Sequence, residues 1–322
     1  MDRSRAAVAL ALGLATVSLL LGLLQIGMAR KSQDFTAPAG ALFNAGKAGI
    51  ALIEVRGVIE DGSGGPGGQG ADRIVERIRS AQEDPAVRGI LLSINSPGGT
   101  TGATKKIYDK LIEFRKEKPI VCYVTDIAAS GGYYLCSAAN KIYAYRGSII
   151  GSIGVIMIHP DAEELLRKVG LTVSVIKAGR FKDMSYPFRT MTEEERLMNQ
   201  KLVDDAYEQF VRDVAEGRRQ PETNVRKWAE GKIYSGTSAK AEQIIDEFGG
   251  ETEALLSMKT EFIKTKDDLP LLRPRKEFFE EFLTGLSGRS YDLSSGRVYY
   301  LYPDSTTVAR MILGPDLVKI AK

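Results

Sequence analysis

The chain has 322 residues, of which 43% are hydrophobic and 26% charged, a composition typical of a globular protein with a substantial core. Its formal net charge of +3 is too small to predict a nucleic-acid-binding surface, and we expect no nucleic-acid partner. Cys122 and Cys136 lack the paired spacing of a zinc site or a redox motif, so we expect two buried free thiols.

The N-terminal region contains a long uncharged segment. After a short flank at residues 1–5, residues 6–29 are mostly Ala, Leu, Val and Gly, and this stretch is long enough to span a bilayer. A cleavable signal peptide is the alternative, but its apolar core is usually shorter and no clear Ala-x-Ala site follows. We therefore predict an uncleaved transmembrane anchor, followed by a linker over residues 30–48 that is rich in small and polar residues. Basic residues flank both ends, so charge barely discriminates the orientation.

From residue 49 onward, short β-branched runs alternate with longer amphipathic stretches, a pattern that predicts a parallel or mixed α/β fold. The predicted strands are residues 50–55, 89–94, 120–124, 141–145, 154–158 and 172–176. The predicted helices are residues 71–82, 101–117, 131–139, 162–169, 193–217, 222–230 and 238–248. Thr192 and Glu195 form a capping-box pattern at the start of the helix at 193–217. Residues 265–322 are predicted to be a C-terminal appendage, with a helix at 278–286 and a hairpin at 290–302.

Two small-residue turns follow predicted buried strands. Residues 95–100 read Asn-Ser-Pro-Gly-Gly-Thr, and their glycine amides are suited to an oxyanion hole, although such a sequence also makes an ordinary tight turn. Ser130 lies in the second turn, between a buried strand and a helix, where a strand-to-helix elbow exposes a nucleophile. Close packing of small residues is the alternative explanation for this turn.

His159 is the only histidine, so a Ser-His-Asp triad would have a single possible base. It precedes Pro160 at the end of an apolar run, and we predict a residue at a strand end without a catalytic role. If Ser130 is a nucleophile, another group then has to activate it. Lys182 lies close to aromatic residues in the sequence, and desolvation by apolar side chains is one way to lower the pKa of a lysine. A lysine that acts as a base at neutral pH needs its pKa lowered by about three units, which costs about 4 kcal/mol. The alternative is a surface lysine whose stem covers those aromatics.

These elements, in this order, resemble the signal peptide peptidase SppA family of membrane-bound serine peptidases, in its short, single-domain bacterial form. The resemblance covers about residues 49–260 and rests on five spaced segments, at residues 95–99, 128–132, 151–155, 179–183 and 234–239. One departure concerns Gln243, which stands where such sequences usually have glycine and puts the local packing in doubt.

The resemblance implies an α/β fold of the ClpP/crotonase type, with a repeated ββα core, for a peptidase domain at residues 49–264. It implies that Ser130 is the nucleophile and Lys182 the general base. By the same resemblance, Gly98 and Gly131 supply oxyanion amides and Ser152 helps to orient the lysine. No cofactor or metal is expected.

The function implied is that of a serine endopeptidase that degrades remnant signal peptides after secretion. The expected location is the bacterial cytoplasmic membrane, crossed once, with the catalytic domain outside the cytoplasm. A homo-oligomeric ring is expected, in which Lys182 of one chain serves Ser130 of the next. An acyl-CoA hydratase or isomerase on the same fold is one alternative, but it leaves Ser130, Lys182 and the anchor unexplained. A peptide-binding scaffold, or a peptidase with another membrane-protein client, is the other.

Overall fold

The computed structural model describes residue 43 and residues 47–63, 68–273 and 299–301. The anchor at 6–29, the helix at 278–286 and most of the hairpin at 290–302 are predictions that lie outside these residues. Within the described ranges, no helix has the length and apolar character needed to cross a membrane.

The strands of the described residues, in chain order, are β1 (Gly49–Arg56), β2 (Val58–Glu60), β3 (Gly68–Gly70), β4 (Val87–Ser96), β5 (Gly98–Thr100), β6 (Ile120–Ala129), β7 (Lys141–Ala144), β8 (Ile149–Gly151), β9 (Ile233–Ser235), β10 (Glu247–Phe248), β11 (Leu271–Leu272) and β12 (Tyr299–Leu301). The helices are α1 (Ala71–Glu83), α2 (Thr101–Arg115), α3 (Gly131–Ser137), α4 (Glu163–Lys168), α5 (Glu193–Arg218), α6 (Glu222–Trp228), α7 (Gly236–Ala241) and α8 (Glu251–Ser257), which continues into a π-helical turn at Met258–Ile263.

The main sheet is mixed and has the strand order β10-β7-β6-β4-β1-β11, with parallel pairing between these neighbours. β8 pairs in parallel with the end of β6, and β9 pairs antiparallel with β8. A second sheet has the order β12-β5-β2-β3, and its strand β5 directly follows β4 in the chain. Because β4 and β6 pair in parallel, their C-terminal ends lie beside each other in the middle of the main sheet.

The core occupies both faces of the main sheet because alternate residues of a strand point to opposite faces. On β1, Ala51 and Ile53 belong to the larger buried cluster, whereas Ile50 and Leu52 belong to a smaller one on the other face. α1 and α2 cover the larger cluster with apolar side chains at helical spacing, such as Ile107 and Leu111. Strands buried on both faces read as continuous apolar runs, which is the pattern of this sequence.

The α/β class and most predicted elements are confirmed. The predicted strands at 50–55, 89–94, 120–124 and 141–145 correspond to β1, β4, β6 and β7. Six of the seven predicted helices are also present, and the capping box of Thr192 and Glu195 forms at the start of α5. Cys122 and Cys136 are buried free thiols, as expected.

Three predicted elements are wrong. Residues 154–158 contain a single bridge residue, Ile156, and residues 172–176 form no strand. Ile176 is fully exposed, with a relative exposure of 102%, and no neighbouring strand of the described chain satisfies this backbone. The helix predicted at 238–248 ends at Ala241, because Gln243 adopts a left-handed backbone conformation with φ 60° and the chain then enters β10.

Candidate active site

Ser130 lies at a sharp turn between β6 and α3. Its φ of 51° and ψ of −117° lie outside the regions that L-residues usually occupy. The turn is held from the neighbouring strand, because the Ser130 N–H donates to the Gly151 carbonyl oxygen at 2.7 Å. This is the strained strand-to-helix elbow that the sequence predicts, and its geometry is common to serine nucleophiles.

The Ser130 hydroxyl is fully buried, and Oγ has no hydrogen-bond partner among the described residues. Leaving a buried hydroxyl unpaired costs about 1–3 kcal/mol, so such groups are few in native proteins and call for an explanation. An unpaired buried hydroxyl on a strained backbone is a feature that clusters at functional sites. The structure therefore places the predicted nucleophile in a position that suits that role.

The two small-residue turns meet in space. Ser96 of β4 pairs with Ala128 of β6, two residues before Ser130. A Cβ on Gly131 would lie 3.2 Å from both the Gly98 Cα and the Gly99 nitrogen. The structure thus brings Gly98 and Gly131 together beside Ser130, although their role as oxyanion donors stays a prediction.

The Gly98 amide has a partner in the structure. Its N–H donates to Ser96 Oγ at 3.1 Å, and Ser96 Oγ in turn donates to the Gly57 carbonyl oxygen at 2.6 Å. An oxyanion bound here would have to compete with Ser96 for the Gly98 N–H. The sequence does not predict this contact, because a serine before Pro-Gly-Gly carries no local signal for its side-chain partner.

Ser152 is connected to Ser130 through Gly151. It directly follows the residue whose carbonyl accepts from the Ser130 N–H, and it is itself nearly buried, with a φ of 51°. The Ser152 N–H donates to the Lys232 carbonyl oxygen at 2.6 Å, which ties this turn to the residue before β9. Ser152 therefore lies next to Gly151, the residue that holds the Ser130 turn, and its contact with a lysine stays a prediction.

Lys182 lies in a surface turn, where its N–H donates to the Gly179 carbonyl oxygen at 3.2 Å and its side chain is exposed. Ser130 Oγ lacks a hydrogen-bond partner in the described part of the chain, so it makes no hydrogen bond with Lys182. The dyad is not assembled at hydrogen-bond distance within one chain. The role of Lys182 as general base stays a prediction.

A charged network supports the turn that carries Lys182. The nearly buried Asp183 accepts from Lys177 Nζ at 2.5 Å and from Arg189 Nη2 at 2.8 Å. Arg189 also donates to the buried Glu195 carboxylate at 2.6 and 2.8 Å. Hydrogen bonds from Arg189 hold the pKa of Asp183 well below its usual range and lower the pKa of Glu195 to about 2. Only the capping-box pattern of Glu195 was readable in the sequence.

The histidine does not contact Ser130 as a base would, and the cysteines are buried thiols that are unsuited to act as nucleophiles. His159 Nε2 is buried without a hydrogen-bond partner in the described residues, so it makes no hydrogen bond with Ser130. Burial raises the pKa of the Cys122 thiol well above its usual range, which keeps the sulfur protonated and poorly nucleophilic.

Two family models and several curated relatives match the chain. A Clp protease family model matches residues 48–165, and the model of peptidase family S49 matches residues 112–263. A Synechocystis protein named as a protease is 35% identical over 233 residues, which is 70% of this chain and 81% of that protein. The chain belongs to peptidase family S49. The S49 match includes Ser130, Ser152 and Lys182, and the Clp match includes Gly98.

Two further relatives have a higher identity over a shorter match. A protein of Methanocaldococcus jannaschii named as a protease is 43% identical over 185 residues, which is 58% of this chain and 60% of that protein. An Enterococcus faecium protein with the name signal peptide peptidase SppA is 38% identical over 186 residues, 58% of this chain and 54% of that protein. The matches therefore span less than two thirds of these two relatives.

Proposed function

We propose that this member of family S49 is a serine endopeptidase with Ser130 as nucleophile. The observation that carries the proposal is the buried, unpartnered Ser130 hydroxyl on a left-handed backbone, adjacent to a glycine turn. Family membership favours a peptidase over the alternative of an acyl-CoA enzyme on a related fold. Ser130 Oγ would attack the scissile carbonyl carbon, and the tetrahedral oxyanion would bind backbone amides at Gly98 and Gly131.

Lys182 is proposed to be the general base. A neutral lysine amine would take the Ser130 proton as the Oγ–C bond forms, and would return it to the leaving amine when the peptide C–N bond breaks. Water would then hydrolyse the acyl-enzyme. The Asp183 network fixes the backbone next to Lys182 and leaves the lysine side chain exposed, which suits a group that acts on a neighbouring chain.

A homo-oligomer would bring the two halves of the dyad together. The segment around Lys182 is rich in exposed apolar side chains, and large exposed apolar patches commonly mark interfaces. These residues are Ile156, Ile158, Leu171, Val173, Val175, Ile176, Tyr186 and Phe188. A second copy of the chain is the proposed occupant, in a ring where Lys182 of one protomer lies beside Ser130 of the next.

The proposed substrates are remnant signal peptides, and the proposed location is the bacterial cytoplasmic membrane with the peptidase domain outside the cytoplasm. Support comes from the apolar sequence of residues 6–29 and from the signal peptide peptidase name of the Enterococcus faecium relative. A different membrane-protein client remains the alternative substrate, and a purified signal peptide assayed beside an unrelated apolar peptide distinguishes the two.

The nucleophile is tested by fluorophosphonate labelling and peptide hydrolysis with the full chain. Wild-type protein should be labelled at Ser130, and Ser130→Ala should lose both labelling and hydrolysis while its thermal unfolding stays unchanged. Lys182→Ala should lose hydrolysis, and Lys182→Arg should not restore it, because a guanidinium stays protonated at working pH. His159→Ala is the matched control and should keep most activity. Full hydrolysis by Ser130→Ala would exclude the proposed mechanism.

A further inference from the structure

Thr104 carries a second buried hydroxyl without a partner near the site. It lies in the first turn of α2, is fully buried, and its Oγ1 makes no hydrogen bond to any described residue. A threonine inside a helix commonly bonds the carbonyl one turn earlier, so an unpaired hydroxyl here is unusual. Burying this hydroxyl without a partner destabilises the free protein.

The position of Thr104 links it to the predicted oxyanion site. A Cβ on Gly131 would lie 2.8 Å from Thr104 Oγ1, and the same point is 3.2 Å from Gly98 Cα and from the Gly99 nitrogen. The Thr104 hydroxyl and the backbone of the Pro-Gly-Gly turn thus pack closely against Gly131. Gly131 directly follows Ser130, so Thr104 packs against the residue next to the proposed nucleophile.

The Gly98 N–H is already hydrogen-bonded, so a donor without a partner, such as the Thr104 hydroxyl, has an advantage in binding an oxyanion. The Gly98 N–H already donates to Ser96 Oγ at 3.1 Å, so an oxyanion would have to compete for that bond. A hydroxyl without a partner can rotate toward a new acceptor without breaking an existing hydrogen bond. Donors that cost no rearrangement are the ones that stabilise developing charge best.

We propose that Thr104 is a further catalytic residue, whose hydroxyl donates a hydrogen bond to the substrate carbonyl oxygen as negative charge develops on it. The hydroxyl keeps its proton throughout and forms no covalent bond. This inference rests on the proposed function, since it assigns Thr104 a role in the reaction of Ser130. The ligand group it recognises is a peptide carbonyl, a strong acceptor that becomes an oxyanion in the tetrahedral state.

The test uses the isosteric variant Thr104→Val in the full chain, with a peptide substrate and a peptide aldehyde that forms a tetrahedral adduct with serine. Loss of the hydroxyl should lower kcat by roughly 10- to 100-fold, with KM within about twofold, and should weaken aldehyde binding by a similar factor. The thermal midpoint should stay equal or rise, because the valine removes an unpaired buried polar group. Thr104→Ser should restore most of the rate.

Ser148→Ala is the matched control, since Ser148 is also buried with an unpartnered hydroxyl in the described chain but lies outside the proposed machinery. It should change neither kcat nor aldehyde binding. An unchanged kcat in Thr104→Val would overturn the inference, as would a loss of activity shared by Thr104→Ser and accompanied by a lower thermal midpoint. Fluorophosphonate labelling of Ser130 distinguishes failure of the proposed function from failure of the Thr104 proposal. Absent labelling of the wild type rejects the proposed function. Normal labelling together with an unchanged rate in Thr104→Val rejects only the role of Thr104.

Discussion

Gly132 packs directly against Ser96, so that a Cβ at position 132 would lie 2.5 Å from the Ser96 carbonyl oxygen. Gly132 is in the first turn of α3, and Ser96 is the last residue of β4. This contact holds the Ser130 turn against the Pro-Gly-Gly turn. The arrangement of the candidate site therefore depends on a backbone approach that a side chain would prevent.

Gly132→Ala is expected to lower the activity strongly and to destabilise the fold by about 1–3 kcal/mol, because the methyl group meets a backbone atom of a central strand. Chemical denaturation together with peptide hydrolysis measures both effects. Gly102→Ala in α2 is the control: a Cβ there meets nothing within 4 Å, and the helix should gain up to about 1 kcal/mol. Wild-type stability and activity in Gly132→Ala would contradict the proposed close contact.

The local signals of the sequence were sufficient for much of the fold. β-branched apolar runs predicted β1, β4, β6 and β7, since strands buried on both faces need such runs. The capping box predicted the start of α5 because Thr192 and Glu195 are only three residues apart. The turn and the family resemblance predict that Ser130 is the nucleophile; the structure shows a strained strand-to-helix elbow at this position, and the catalytic role stays a prediction.

Other features depend on partners that are distant in the chain. Residues 172–176 have the composition of a strand, but strand formation requires a neighbouring strand and none is present among the described residues. The free hydroxyl of Thr104 and the Asp183–Arg189 contact have no local pattern either. They arise from packing between segments, which periodicity and spacing do not report.

Glu195 is expected to make stability depend on pH in the acid range. Hydrogen bonds from Arg189 lower its pKa from 4.5 to about 2, so the unfolded chain binds more protons than the folded chain between these values. Its contribution is fully present above about pH 5 and is lost as the pH falls toward 2. The difference in thermal midpoint between wild type and Glu195→Gln should therefore be largest near neutral pH and shrink on acidification. A difference that stays constant from neutral pH to about pH 2 would contradict this linkage.

Replacing Gln243 by glycine is expected to stabilise the folded protein. Gln243 is exposed and has a φ of 60°, in the left-handed region that glycine adopts without a Cβ penalty. The core beside it is intact, with Ala239, Ile244 and Ile245 buried. A glutamine in place of the glycine expected at this position therefore strains the backbone and does not disturb the packing. Gln243→Gly should raise the free energy of unfolding by about 0.5–1 kcal/mol, measured by denaturant titration. Gln243→Ala, which keeps a Cβ, should show no such gain.

Asp246 is expected to matter more for stability than any exposed ion pair. It receives two hydrogen bonds of 2.8 Å from the guanidinium of Arg218, whose side chain is only 6% exposed, and one of 2.7 Å from the Ile142 N–H. Asp246→Ala leaves a buried guanidinium unpaired and should cost about 3 kcal/mol by denaturant titration. Lys201→Ala breaks an exposed pair with Asp205 and should cost less than about 0.5 kcal/mol. Equal effects of the two substitutions would be inconsistent with a buried pair.

Sharing of the dyad between protomers is testable by complementation. Ser130→Ala and Lys182→Ala subunits are each expected to be inactive. In the proposed ring, a reassembled mixture of the two would contain interfaces that pair an intact serine with an intact lysine from different chains. Such mixtures should recover part of the wild-type hydrolysis, and each variant reassembled alone should recover none. Native mass spectrometry of the mixture verifies that both variants occupy the same oligomer. A verified mixed oligomer without activity would mean that each chain builds its own dyad. In that case the turn carrying Lys182 would have to move toward Ser130 of the same chain when substrate binds.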